Sequence, residues 1–237
     1  MMFAQTTRPS VAAYTPPAPQ MPPTAQPQQF AVETRGVTKR YGSQTVVNQL
    51  NLAIPSGGVY GFLGPNGAGK STTMKMLLGL AKPTTGEVRV FGRDLRANRA
   101  DILPRIGSLI EGPAFYPHLT GAQNLRIVAD YLSCDKSSVD AVLDIVGLTD
   151  AAGKRARQYS LGMKQRLGIA MALISGPELL LLDEPTNGLD PAGVAEIRNL
   201  IVQLAHDRGI TVMVSSHLLS EIEQMADTVG IICAGRL

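Results

Sequence analysis

The apolar positions of this 237-residue chain alternate between a two-residue and a longer, helical rhythm. From Phe30 the runs FAVETRGV (30–37) and TVVNQLNLAI (45–54) have strand character and are separated by the turn residues of RYGS. GVYGFLG (58–64) predicts a buried strand that runs straight into a glycine-rich loop and a helix, and EVRVFG (87–92) and RIGSLI (105–110) predict two more strands. Between residues 120 and 175 helical spacing takes over, with Leu125, Val128 and Leu132 on one stripe. The α/β pattern returns with ELLLLD (178–183), an unbroken apolar run of the kind a parallel strand shows when both faces are covered. DPAGVAEIRNLIVQLAHDRG (190–209) predicts a helix with readable ends: Asp190 caps it, Pro191 takes the first helical position and Gly209 terminates it. Val194, Ile197, Ile201 and Leu204 give it one apolar face. ITVMVSS (210–216), LLSEIEQMAD (218–227) and TVGIIC (228–233) predict a strand, a helix and a last strand, with no internal repeat.

Composition narrows the class. A chain with 44% hydrophobic and 17% charged residues is of the soluble globular type, long enough for one large domain. Residues 1–29 differ: seven prolines, many Gln and Thr, and Arg8 as the one charge cannot bury enough apolar surface to offset ordering. They are expected to form a disordered tail ahead of a domain at 30–237. A net charge of +3 is too small to argue for nucleic acid or an anionic membrane surface. Cys134 and Cys233 form no CxxC pair and have no metal-ligand spacing, which speaks against disulfide and zinc frameworks. No stretch reaches the roughly 18 consecutive apolar residues of a membrane helix, and the N-terminus lacks a basic region followed by an apolar run. Work at a membrane would fall to a partner.

Two motifs carry chemistry. GPNGAGKST matches G-x-x-x-x-G-K-[ST] and comprises Gly64, Pro65, Asn66, Gly67, Ala68, Gly69, Lys70, Ser71 and Thr72, between a strand and a helix. Its glycines let successive backbone N–H groups turn inward on an anion, and the helix that follows adds its positive end. Lys70 would reach the β and γ phosphates of a nucleotide, and the Ser71 hydroxyl would ligate Mg²⁺. In LLLLDEP, Asp183 stands at the C-terminal end of a strand, where open α/β sheets place ligands, with Glu184 beside it. Alone, two acids at a strand end are as compatible with a solvated turn. Beside a phosphate loop, Asp183 can organise Mg²⁺ and Glu184 can take a proton from the attacking water.

With YSLGMKQRLGIAMAL followed closely by LLLLDEPTNGLDP, the chain from about residue 31 onward resembles the ATP-binding subunit of ABC transporters. The resemblance implies a P-loop NTPase core with an antiparallel β subdomain and an inserted α-helical subdomain, here at about 112–175. The family's signature, usually LSGGQ, is YSLGMKQ here, with Leu161 and Met163 departing from the usual small residue and Gln. In the family two such subunits face each other head to tail, and each signature closes over the ATP held by the other. Carried over, Ser160 and Gly162 touch the γ-phosphate bound by the partner, and Asp190 lies at the dimer interface. His217 matches the switch histidine that positions the water, and Tyr41 matches the aromatic that stacks on adenine.

LIEGPAFY (109–116) occupies the place of a family loop whose Gln touches Mg²⁺ and moves with the membrane subunit, and it carries Glu111 instead. That exchange, together with SLGMKQRLGIA, resembles the branch of bacitracin-resistance and lantibiotic-immunity exporters. A carboxylate is another hard oxygen donor for Mg²⁺. Members of that branch usually continue beyond the segment that IICAGRL resembles, so the resemblance implies an extension not present before Leu237. The expected function is ATP hydrolysis with Mg²⁺ at the cytoplasmic face of a membrane. The subunit would act as one of two, likewise ATP-binding, on a separate permease, without nucleic acid. A soluble ABC-type ATPase acting on ribosomes or DNA, and a sensor that binds ATP without turnover, are the rivals. The first usually carries two ATPase domains or a long coiled coil, and this chain shows neither; intact Glu184 and His217 speak against the second.

Overall fold

The computed structural model describes residues 29–237, so nearly all of the expected disordered tail lies outside the described residues. In chain order the elements are β1 (Phe30–Tyr41), β2 (Gln44–Leu50), β3 (Ala53–Pro55), β4 (Val59–Leu63), α1 (Lys70–Leu77), β5 (Thr85–Val90), β6 (Arg93–Asp94), α2 (Arg99–Ile102) and β7 (Ile106–Leu109). There follow α3 (Gly121–Tyr131), α4 (Ser137–Ile145), α5 (Leu161–Leu173), β8 (Leu179–Asp183), α6 (Pro191–His206), β9 (Thr211–Ser216), α7 (Leu219–Ile222) and β10 (Thr228–Ile231).

Two sheets result, and they differ in kind. The first is antiparallel, in the order β2-β1-β5-β6, with β3 also paired to β1. The run TVVNQLNLAI forms two of its strands where one is expected. The ladder shifts register near Gln49, where φ is +50°, and the strand ends at Leu50; the buried Thr34 hydroxyl fills the gap before Ala53. It donates to Leu50 O at 2.9 Å and accepts from Leu52 N at 2.8 Å, so these two backbone groups stay paired where the ladder is interrupted.

The second sheet is parallel, in the order β10-β4-β9-β8-β7. Its central strands β4, β9 and β8 are buried at consecutive positions because both faces are covered, whereas the edge strand β10 is largely exposed. Leu180 and Leu182 of β8 enter an apolar cluster shared with α3, α4, α5 and α6, whereas Leu179 and Leu181 enter a second cluster with α1 and the antiparallel sheet. All four leucines are fully buried, each contributing on the order of 1.5–3 kcal/mol of transfer free energy. The sheet therefore stands rigidly between two cores, with only its strand ends free to build a site.

Helix ends follow local chemistry. Asp190 caps α6, its Oδ1 accepting from Gly193 N at 3.0 Å, and Gly209 takes φ +69° just beyond the end. The segment 218–227 departs from the expected helix: α7 has only four residues, and the chain tightens so that Met225 N donates to Ile222 O. Asp227 explains the early stop. Its carboxylate accepts from Val59 N at 2.7 Å, which draws the chain back to the sheet to start β10 beside β4. Leu132 also departs from expectation. It lies one residue past α3 and is exposed, and the buried stripe is Gly121, Leu125 and Ala129. No helix among the described residues is long and apolar enough to cross a membrane.

Candidate functional site

Strand register brings the predicted residues together. In the parallel sheet β9 lies between β4 and β8, with Leu63 opposite Ser216 and Asp183 opposite Ser215. The loop after Leu63, the acids at the end of β8 and His217 after Ser216 therefore emerge at one level. This is the carboxyl edge at which parallel sheets bind ligands.

The loop from Gly64 to Gly69 is held open by its surroundings. A Cβ on Gly64 would meet Ile232 O at 2.3 Å, so only glycine fits against that carbonyl. Gly69, at φ +110°, turns the chain into α1 and offers no side-chain cap. The backbone N–H groups of Asn66, Gly67, Gly69, Lys70, Ser71 and Thr72 donate to no acceptor among the described residues. Six orphan donors at a helix N-terminus form an anion cradle. A cavity of about 170 Å³ over them is lined by Val46, Asn66, Gly67, Gly69, Lys70, Ser71, Thr72 and Glu184. A larger one, about 540 Å³ between the end of α1 and the antiparallel sheet, holds none of the predicted residues. An open loop suits a polyphosphate better than an enclosed pocket, because backbone donors supply the binding.

Lys70 is 5% exposed, with its ammonium folded onto the loop. Nζ donates to Gly64 O at 2.6 Å and to Pro65 O at 3.3 Å, and stands 3.1 Å from Glu184 Oε1. Because Nζ is directed at the carbonyls, Oε1 receives no aligned hydrogen bond and is a buried, orphaned acceptor. The other oxygen, Oε2, accepts from His217 Nδ1 at 2.8 Å. A carboxylate partner makes Nδ1 the protonated nitrogen and leaves Nε2 for a ligand. Glu184 itself sits at φ +49°, a conformation non-glycine residues rarely adopt.

Asp183 is 7% exposed, and its Oδ1 accepts from Ser215 Oγ at 2.6 Å. The same Ser215 oxygen accepts from Glu184 N at 2.9 Å, so one buried hydroxyl orients the aspartate side chain and the glutamate backbone together. Sequence reasoning missed Ser215; the signal available was a polar residue at the end of an apolar strand register-paired to the acids. It also missed Lys75, four residues after Ser71 and so on the same face of α1. Lys75 forms an ion pair with Glu111, which lies at φ +61° and is largely exposed. That hydrogen bond raises the Lys75 ammonium above its ordinary value, against a smaller opposing effect of burial, with attraction from Glu111, Tyr41 and Asp183 adding to it.

The remaining residues lie elsewhere. Tyr41, half exposed, ends β1 at the hairpin of the antiparallel sheet, with Lys39 Nζ 4.7 Å from its ring centroid. Ser160 caps α5, accepting from Met163 N at 3.2 Å. The preceding Tyr159 anchors this segment: its buried hydroxyl, whose pKa burial raises, donates to Ala151 O at 2.7 Å. Ser160, Gly162 and Asp190 do not line the cavity over the phosphate loop. The segments before α5 and before α6 approach each other, since a Cβ on Gly188 would meet Leu161 Cδ2 at 3.5 Å.

Comparison with known proteins gives the family. The family model described as ABC transporter matches residues 47–187. The bacitracin transport ATP-binding protein BcrA of Bacillus licheniformis is 55% identical over 207 residues, covering 87% of this chain and 68% of that protein. The lantibiotic transport ATP-binding protein SrtF of Streptococcus pyogenes is 46% identical over 206 residues, covering 87% of this chain and 88% of its own. Among solved structures, cbiO1 of Clostridium perfringens, part of the ABC transporter complex cbiONQ, superposes with a TM-score of 0.81 at 27% identity, covering 88% of this chain and 87% of that one. The dimeric post-hydrolysis state of the ATP-binding cassette MJ0796, bound to ADP and Pi, superposes with a TM-score of 0.77 at 26% identity, covering 87% and 96%. The chain belongs to the ABC transporter family, as an ATP-binding subunit that hydrolyses ATP on a P-loop α/β fold.

Proposed function

We propose that this subunit energises export of a bacitracin- or lantibiotic-type peptide by a separate membrane permease, working at the cytoplasmic face as one of two head-to-tail ATPase subunits. The observation that carries the catalytic part is the juxtaposition of six unpaired loop amides, the Lys70 ammonium and the orphaned Glu184 oxygen. The amides from Asn66 to Thr72 cradle the phosphates, and Lys70 leaves Gly64 O and Pro65 O to neutralise the β and γ oxygens. Tyr41 stacks adenine on the ring face that Lys39 leaves open. Glu184 Oε1 accepts a proton from the attacking water, and His217 Nε2 faces the γ-phosphate.

Mg²⁺ suits the oxygen donors present, Ser71 Oγ and the free oxygen of Asp183, and would supply charge neutralisation between the phosphates. Few protein ligands are needed because Mg²⁺ keeps several waters. Glu111, once released from Lys75, would be a further oxygen donor. Ser160 and Gly162 would contact the ATP of a second copy, with Asp190 at the same interface; the approach of Gly188 to Leu161 supports this reading.

The permease docks near Glu111. Tyr116 is pinned to α3 by the buried Asn124, and it is exposed together with Ile127 and Tyr131, one helical turn apart. Exposed apolar side chains grouped in this way mark an interaction surface. Purification of the tagged subunit from native membranes should bring down a multi-spanning membrane chain and show ATP-driven phosphate release. Recovery of ribosomal or nucleic-acid partners in its place would refute the transporter role.

A Mg²⁺ titration tests Glu111. Glu111→Ala should raise the Mg²⁺ needed for half-maximal hydrolysis while leaving nucleotide binding close to parental, because the loop amides remain. Glu111→Gln, which keeps an oxygen of the same reach, should lie nearer the parent. Three superimposable curves would return Glu111 to the role of an ion-pair partner of Lys75 alone.

A further inference from the structure

Beyond the strand ends, no backbone–backbone hydrogen bond among the described residues joins the loop carrying Glu184 to the turn carrying His217. Besides the Ser215 hydroxyl and the Glu184–His217 contact itself, a second carboxylate does so. Glu221 Oε2 accepts from Thr186 Oγ1 at 2.6 Å and from Ser216 Oγ at 3.1 Å. Thr186 lies two residues after Glu184, and Ser216 immediately precedes His217. Both donors are nearly inaccessible to solvent, at 4% and 1%. Ser216 Oγ in turn accepts from Leu218 N at 3.0 Å, so hydrogen bonds bracket His217 on both sides. The Ser216 carbonyl also accepts from Gly64 N at 3.2 Å, which ties the same turn to the start of the phosphate loop.

A capping-box role for Glu221 is ruled out by its partners. It is the third residue of α7, where a Glu commonly reaches back to the N-cap amide as half of a capping box. Here the N-cap amide, that of Leu218, goes to Ser216 Oγ instead, and no side-chain cap is present. The carboxylate turns away from its own helix to join two separate loops. The two hydroxyls are buried and the carboxylate is partly so, and displacing it would leave Thr186 Oγ1 and Ser216 Oγ without this acceptor in a region of low dielectric.

We infer that Glu221 is a positioning residue for ATP hydrolysis, locking the Glu184–Asp190 loop to the His217 turn so that the Glu184–His217 contact is kept at 2.8 Å. It rests on His217 and Glu184 being the groups that handle the water, as proposed above. Thr186 is its donor on the acid-bearing loop and Ser216 its donor on the histidine turn. A displacement of the order of 1 Å between such groups lowers turnover by up to about 100-fold without altering ground-state binding.

The test uses the full chain and four substitutions, E221A, E221Q, T186V and H217A, with single-turnover ATP cleavage, binding of a fluorescent ATP analogue, and NMR of the His217 ring, one of three histidines in the chain. E221A is expected to slow cleavage about 10- to 100-fold, to leave nucleotide affinity within about twofold, and to shift or broaden the His217 ring signals. E221Q, whose amide oxygen still accepts both hydroxyls, should restore most of the rate and the parental signals. T186V, a single lost donor, should fall between them, and it also carries the test should E221A fail to fold. Adding E221A to H217A should cost nothing further. Parental cleavage in E221A and T186V, or equal extra losses with and without His217, would overturn the inference. Parental cleavage in H217A would instead remove the role of His217 beneath it, which separates the two failures.

Discussion

Lys70→Ala is expected to reduce ATP turnover by about 10²- to 10³-fold or more, the scale seen when one preorganised charge at a reacting centre is removed. The ammonium is 5% exposed and held by two loop carbonyls and Glu184, so it is placed before any nucleotide arrives. Binding needs only the exchange of those partners for phosphate oxygens, with no search by a flexible side chain. Alanine leaves the six amides in place but takes away the one lysine charge directed at the loop. The Glu184 carboxylate is then left against anionic phosphates with no cation between them. Lys70→Arg should not restore the rate, because a planar guanidinium cannot occupy a space fitted to a compact ammonium. Phosphate release and binding of a fluorescent ATP analogue measure both effects. Parental turnover in Lys70→Ala would remove the assignment of this loop.

Glu184→Gln carries the second large effect, a loss of roughly 10²- to 10⁴-fold in hydrolysis, because the orphaned acceptor beside Lys70 can no longer take a proton. Binding should move in the opposite direction. The carboxylate competes with phosphate for Lys70 in the nucleotide-free protein, and its neutralisation leaves the ammonium to the nucleotide. The same change weakens the nucleotide-free state, since a largely buried charge loses its counter-ion; about 1–3 kcal/mol is expected, as the two carbonyls and partial exposure soften the loss. Thermal unfolding should show a lower Tm without nucleotide and recovery with Mg-ATP. Light scattering should show an ATP-dependent dimer, because unhydrolysed ATP continues to bridge the two subunits. A strict monomer at high protein concentration would contradict the head-to-tail arrangement.

Much of this protein is decided by sequence-local chemistry. The phosphate loop is legible because a strand, a run of glycines and a helix start are consecutive, and their backbone geometry needs no distant residue. The same holds for Asp190 as a cap, for the apolar run of β8, and for the signature that carries the resemblance to ABC transporters. Element ends that depend on a remote partner are not legible. The break between β2 and β3 is set by Thr34, and the early end of α7 by the bond from Asp227 to Val59 N across 168 residues.

The site divides along the same line. The sequence, with the resemblance it carries, placed Lys70, the Asp183–Glu184 pair and His217 in three motifs that follow three different strands. Only the strand order β4-β9-β8, with its register, makes them neighbours, because parallel strands joined by long crossovers meet through non-local pairing. The supporting groups Ser215, Thr186 and Glu221, and the Lys75 partner of Glu111, are spread over the chain with no motif to join them. Their roles exist only where hydrogen bonds form between segments that folding has brought together, and a hydrogen bond is a condition on distance and angle that a linear sequence does not contain.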